Sequence, residues 1–257
     1  MIDHLKHIVF GGDYVLSDSL SVHNATLREI SDYGQERYAS DVSAIVLRPY
    51  DAAVLLDDIG KDYRTVSEFE LFCAVGINLI SQKSILLPGI NVADLKYGIH
   101  RDTQEPFLFN ERVRIDKLVF REIVDAVRAF HYIPSKIEIN PGSTFAVREW
   151  IRQQRDKLKR QARKKKKPVN PYSDIVSALV NSAGFKYDYG SAEDLHISQL
   201  MDAFYRLNRI QNFQHTMSGV YAGTVDPKHL NKDVFDWFGS IDINTKRIDE
   251  SKMIEVK

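Results

Sequence analysis

Apolar positions along this chain recur mostly at helical spacing. Asn24 or Thr26 stands as an N-cap, with Glu29 three residues past Thr26 in capping-box position, ahead of Leu27, Ile30 and Tyr33. Gly34 interrupts that helix, and Tyr38, Val42, Ile45 and Val46 follow as an apolar stripe of spacing 4, 3 and 1 until Pro49 stops it. A further helical turn is predicted over Ala52 to Ile59, closing at Gly60. Another helix begins near Ser67 and buries Phe69, Phe72, Cys73 and Ile77 or Leu79. Ahead of these, Ile8-Val9-Phe10 to Leu20 alternates in character and reads as a strand–turn–strand arm that adds to a neighbour's sheet.

The period changes in the middle of the chain. Ser84 to Leu87 is a short apolar run ended by Pro88-Gly89, and Leu95, Tyr97 and Ile99 alternate with polar neighbours. Phe107-Leu108-Phe109 follows a turn at Thr103 to Pro106, which predicts a small antiparallel sheet or hairpin across 84–115. Asp116 then caps the clearest amphipathic helix, with Phe120, Ile123, Val124, Val127 and Phe130 at offsets 0, 3, 4, 7 and 10.

Beyond the turn at Asn140-Pro141-Gly142, Ser143 or Thr144 caps a helix whose Phe145, Val147, Trp150 and Ile151 face inward. Past Ile151 only Leu158 and Ala162 are apolar before Pro168, so this helix is expected to leave the core and project. Pro168 and Pro171 make a linker, after which Ser173 caps a helix over Ile175, Ala178 and Leu179 that stops at Gly184. Ser191 is expected to cap the next helix, with Glu193 and Asp194 in its first turn, and Gly219 and Gly223 punctuate the stretch beyond Leu207. The fold class is therefore α+β and mainly α-helical. The expected division is a mainly helical region over 1–151, a basic helix with linker over 152–171 and a helical unit over 172–257.

Charge sharpens this picture. The 257 residues carry 35 Lys+Arg and 35 Asp+Glu, a formal net charge of zero. Arg148 to Lys167, however, holds eleven basic and two acidic residues, a net of +9 that leaves −9 on the rest. An acidic body carries a basic arm. The residues singled out for contact with a partner or a phosphate are Arg152, Arg155, Lys157, Lys159, Arg160, Arg163, Lys164, Lys165, Lys166 and Lys167. No aromatic residue lies between Arg152 and Lys167, so the arm lacks the stacking platform of a usual single-strand binder.

Catalytic chemistry finds no motif. Phe10-Gly11-Gly12-Asp13 offers a glycine pair without the lysine of a phosphate loop and fits a turn. His4 and His7 lack the Glu of a zinc-protease helix, and His23, His100, His131, His196, His215 and His229 are scattered without ligand spacing. Adjacent Asp57 and Asp58 point about 100° apart on a helix and read as a solvated helix end. The single Cys73 sits in Leu71-Phe72-Cys73-Ala74-Val75, which excludes an internal disulfide or a cysteine zinc site and predicts a protonated, inert thiol in a reducing cytosol. No apolar run approaches the roughly 20 residues of a membrane span, and the start of the chain has no apolar signal core. The sequence calls for no catalytic residue, metal, cofactor or membrane.

Several stretches carry a resemblance. They are Leu27-Arg28-Glu29-Ile30 with Tyr33-Gly34 and Tyr38, Pro49-Tyr50-Asp51, Leu56 through Tyr63, and Phe69-Glu70-Leu71-Phe72. With the basic helix, Val176 through Asn181, Gly184-Phe185-Lys186-Tyr187 and Gly219 through Gly223, they resemble morphogenesis proteins of tailed bacteriophages infecting Gram-positive bacteria. The resemblance spans about Leu27 to Trp237. It implies a non-enzymatic tail or baseplate component or assembly factor that binds other tail or baseplate proteins and forms a homo-oligomer. It implies a place in the virion, or in the host cytoplasm during assembly. The rival reading from charge is a nucleic-acid-binding module that uses the basic helix over 152–167.

Overall fold

The computed structural model describes residues 2–140, 142–162 and 171–226, together with 228, 230, 235, 237–239 and 245–249. Its architecture is α+β and mainly α-helical. The segment expected to be a strand–turn–strand arm instead opens with a π-helical turn, His4–Val9, followed by a hairpin of β1 (Tyr14–Ser17) and β2 (Leu20–Val22). The hairpin pairs with itself, because Ile8, Leu20 and Val22 are buried in this chain's own core.

Helices α1 (Leu27–Tyr33) and α2 (Gln35–Ile45) follow the predicted break at Gly34. Thr26 and Glu29 form the full capping box, satisfying two backbone N–H groups reciprocally. After α3 (Ala53–Asp58), Ser67 and Glu70 form a second capping box at α4 (Glu68–Leu71). That helix widens into a π-helical turn at Phe72–Gly76 before α5 (Ile77–Leu79). Burial pushes the Cys73 thiol up to about 11, in keeping with the inert thiol its apolar neighbours predict.

Ser84 to Leu87 is not a strand. Its apolar character comes from burial of Leu86 and Leu87 in the core, while the backbone turns around Ser84, whose Oγ accepts from the Leu86 N–H at 3.3 Å. The predicted sheet forms from β3 (Lys96–Ile99), β4 (Pro106–Phe109) and β5 (Arg114–Ile115), antiparallel in that order with Lys96 opposite Phe109 and Leu108 opposite Ile115. Asp116 caps α6 (Lys117–Phe130), and every apolar residue expected on its inner face is buried. Phe120 meets Phe72 with ring centres 4.6 Å apart.

Strand β6 (Lys136–Asn140) precedes α7 (Thr144–Ala162) and pairs in parallel with β7 (Thr245–Asp249), a strand within the stretch expected to be helical. Helices α8 (Pro171–Val180), α9 (Tyr189–Ala192) and α10 (Ile197–Tyr221) complete the order. Three local expectations shift. Ser173 lies inside α8 and bonds Gln35 instead of capping, and Asp188 caps α9 with Ser191 as its reciprocal partner. Gly219 stays within α10, which ends before Gly223. Tyr172, Leu179, Ile197 and Leu200 join Ile8, Tyr38 and Phe130 in the main core, so residues on both sides of the 152–171 segment pack together. Among the described residues no helix is long and apolar enough to cross a membrane.

Candidate functional site

Helix α7 rests on a second, smaller core. Ser143 caps it, its Oγ accepting from the Ala146 N–H at 3.2 Å. Ala146, Val147, Trp150 and Ile151 then pack on Ala52, Ala53 and Leu56 of the α3 region and on Tyr63 and Leu71. Trp150 stacks on Tyr50 with centroids 4.9 Å apart, and Tyr63 closes the group at 6.1 Å from Trp150. Phe145, expected to face inward, is 75% exposed. At about 100° per residue it falls opposite the side defined by Ala146, Val147, Trp150 and Ile151.

The charged residues divide by position along the helix. Arg155 is held by both acids of α3: its Nη2 donates to Asp57 Oδ2 at 2.7 Å and to Asp58 Oδ1 at 2.6 Å. Those hydrogen bonds raise the Arg155 guanidinium above its ordinary range. Asp57 and Asp58 thus form a clamp, which local sequence could not reveal because the cation lies about a hundred residues away. Arg152 is paired within the helix to Glu149 at 2.6 Å. Lys157, Lys159 and Arg160 are exposed and make no ion pair among the described residues. Leu158 is exposed too, so from Asp156 to Ala162 nothing covers the helix among the described residues. Arg163 and Lys164 to Lys167 lie outside the described residues.

A second feature escaped sequence reasoning. His23, at the end of β2, is bracketed by two carboxylates: Nδ1 lies 2.9 Å from Asp13 Oδ1 and Nε2 lies 3.1 Å from Glu29 Oε2. Both ring nitrogens can donate only when the imidazole is protonated. The hydrogen bond to Asp13 accordingly raises the His23 pKa against the effect of burial, helped by the charges of Asp13 and Glu29. Burial alone would raise the Asp13 carboxyl, but the bonds from His23 and the Asn24 N–H bring it below its ordinary value. All three residues line an open cleft of about 880 Å³, together with Tyr33, Lys83 and Ile90 among others. Nothing in the spacing 13, 23, 29 announces this, because the hairpin β1–β2 is what brings Asp13 to His23.

Among the described residues no group of three or more His, Cys, Asp or Glu is arranged to hold a metal ion. His7 is buried against Tyr14, its Nδ1 within 3.0 Å of the Asp3 backbone, and His4 does not join it in a cluster.

Residues 164–242 match the family model described as the YomV second domain, a stretch that takes in α8, α9 and α10 and starts just beyond the described end of α7. That match points to a phage-associated protein. No curated protein and no solved structure matches the chain.

Proposed function

We propose that this phage-associated protein is a non-enzymatic morphogenesis protein, a component of the tail or baseplate or an assembly factor for it. It acts by protein–protein contact, as a homo-oligomer binding other tail or baseplate proteins, in the virion or in the host cytoplasm during assembly. The observation that carries the reading is α7: a helix fixed at its base by the Tyr50–Trp150 stack and the Arg155 clamp, with Lys157, Lys159 and Arg160 exposed beyond. A rigid, charged projection presents a partner with a surface already ordered, which lowers the entropic cost of docking.

Light scattering after size exclusion, at low and high salt with the 260/280 absorbance ratio across the peak, tests it. The expected result is a defined oligomer free of nucleic acid, which enters tail precursors when co-expressed with the tail proteins. A monomer found in no particle or precursor sinks the reading. The second reading, nucleic-acid binding through the same helix, is favoured by the three exposed cations standing directly before the Lys164 to Lys167 run. A protein that carries nucleic acid at low salt and sheds it at high salt selects that alternative.

A further inference from the structure

Away from α7, two arginines are buried beside a single carboxylate. Arg128, in the last turns of α6, is 3% exposed, and Arg48, just after α2, is 8% exposed. Arg128 Nη2 donates to Glu68 Oε1 at 2.8 Å, and Arg48 Nε stands 3.7 Å from the same oxygen. The remaining donors turn to backbone carbonyls: Arg128 Nη1 to Ser135 at 3.3 Å and Nη2 to Val46 at 3.4 Å, and Arg48 Nη2 to Pro134. Arg128 Nε is buried with no acceptor. An N–H in that state costs about 1–3 kcal/mol if nothing receives it. Such a group calls for a reason, and a bound molecule or ion that supplies the acceptor is one of the few available.

Arg128 lines a cleft of about 510 Å³ between the start of α4, one side of α6 and the loop at Ile133 to Ser135. Lys117 and Arg121 add positive charge at its walls, against the carboxylates of Glu68 and Asp125. Burial raises the Asp125 carboxyl, against the pull of Arg121 and Arg128. Apolar walls come from Phe69, Phe120 and Ile133. The excess charge is small and the walls are apolar, a combination that suits one carboxylate next to a hydrophobic group better than a dianionic phosphate.

We infer that the cleft lined by Arg128, Lys117 and Arg121 binds a carboxylate of a partner polypeptide, an Asp, Glu or C-terminal carboxyl flanked by an apolar residue. The inference is independent of α7 and of the tail reading, and its failure leaves that reading untouched.

The test uses the full chain with arginine Nε–H groups labelled by nitrogen-15, the Arg128 signal being assigned with Arg128→Lys. N-acetyl-phenylalanine, its carboxamide and inorganic phosphate are each added at matched ionic strength. The Arg128 Nε–H signal should move with N-acetyl-phenylalanine and stay still with the carboxamide. In the double variant Lys117→Gln, Arg121→Gln, whose exposed positions leave folding intact, affinity for N-acetyl-phenylalanine should fall about tenfold, the order expected for losing charge-assisted contacts. An equal response to the carboxamide, tighter binding of phosphate, unchanged affinity in the double variant, or a signal unmoved by all three probes would overturn the inference.

Discussion

Asn24 and Ser198, 174 positions apart in the chain, meet at 2.8 Å between the Asn24 Nδ2 and the Ser198 Oγ, and neither is exposed to solvent. The same Asn24 amide donates to the His7 carbonyl at 2.8 Å, and its Oδ1 accepts from the Ser198 N–H at 3.4 Å. Around it the Ile197 N–H donates to the Ala25 carbonyl and the Leu27 N–H to the Leu195 carbonyl, each at 2.9 Å. One buried amide therefore joins the N-terminal turn, the entry to α1 and the first turn of α10.

Asn24→Ala should be strongly destabilising for that reason. It strips the Ser198 N–H in the core of its acceptor and leaves the His7 carbonyl to the Ser198 hydroxyl, which also faces the Ile8 carbonyl, at about 1–3 kcal/mol for an unsatisfied buried group. Chemical denaturation should show a lower midpoint with an unchanged slope. A variant as stable as the wild type would mean that water replaces the amide and that the network is not structural.

Two glycines with positive φ should behave differently. Gly11 has φ +71, and a Cβ there would run into the His196 ring; Gly60 has φ +73 with nothing within 4 Å of that position. Gly60→Ala meets only the backbone penalty of the left-handed region, about 1–2 kcal/mol. Gly11→Ala meets that penalty and a clash with a ring whose Nδ1 is bonded to the Asn24 carbonyl, adding about 1–3 kcal/mol. Thermal melts of the two variants should rank them in that order. Equal losses would show that the His196 ring moves aside at no cost.

Local signals carried most of the fold, and the site largely depended on distant ones. The capping boxes at Thr26/Glu29 and Ser67/Glu70 and the inner face of α6 are set by residues within one or two turns, so periodicity and caps disclose them. Ser84 to Leu87 misled because a short apolar run looks the same whether it is a strand or a buried turn. The Asp57–Arg155–Asp58 clamp, the bracketing of His23 and the arginines around Glu68 each join residues that only the tertiary fold brings together. Phe145 failed for another reason: a face defined by four apolar residues excludes a fifth that the count alone had included.

His131 and His23 should give stability opposite pH dependences. His131 is fully buried, its Nδ1–H donating to the Val127 carbonyl at 2.7 Å while Nε2 accepts from the Tyr38 hydroxyl at 3.1 Å, so the neutral ring is fully satisfied. Burial lowers its pKa to about 4, and the unfolded chain therefore binds the proton first as pH falls. Relative to His131→Gln, the wild type should lose up to about 3 kcal/mol between pH 6.5 and 4. His23 has its pKa raised by Asp13, so its contribution is present below about pH 6.5 and is lost as pH rises through the folded value. Relative to His23→Gln, the wild type should gain toward acid. Urea titrations across this range check both signs, and a matching slope in the two variants would contradict the assignment.

The basic helix yields a prediction that separates its base from its tip. Trp150→Ala removes the ring stacked on Tyr50 and opens the smaller core, which should cost about 3–5 kcal/mol and reduce helical signal. The triple change Lys157→Gln, Lys159→Gln, Arg160→Gln touches only exposed side chains and should leave the unfolding midpoint within about 0.5 kcal/mol of wild type. Its effect belongs to binding. If α7 meets an acidic face of a partner protein, the triple variant should weaken that complex, chiefly through a slower, less salt-sensitive association, and duplex DNA should not compete. If α7 instead contacts phosphates, the slope of log affinity for random duplex against log salt should flatten by about 3, close to one per lost cation. A triple variant that binds both as well as the wild type would remove the described part of the helix from either role.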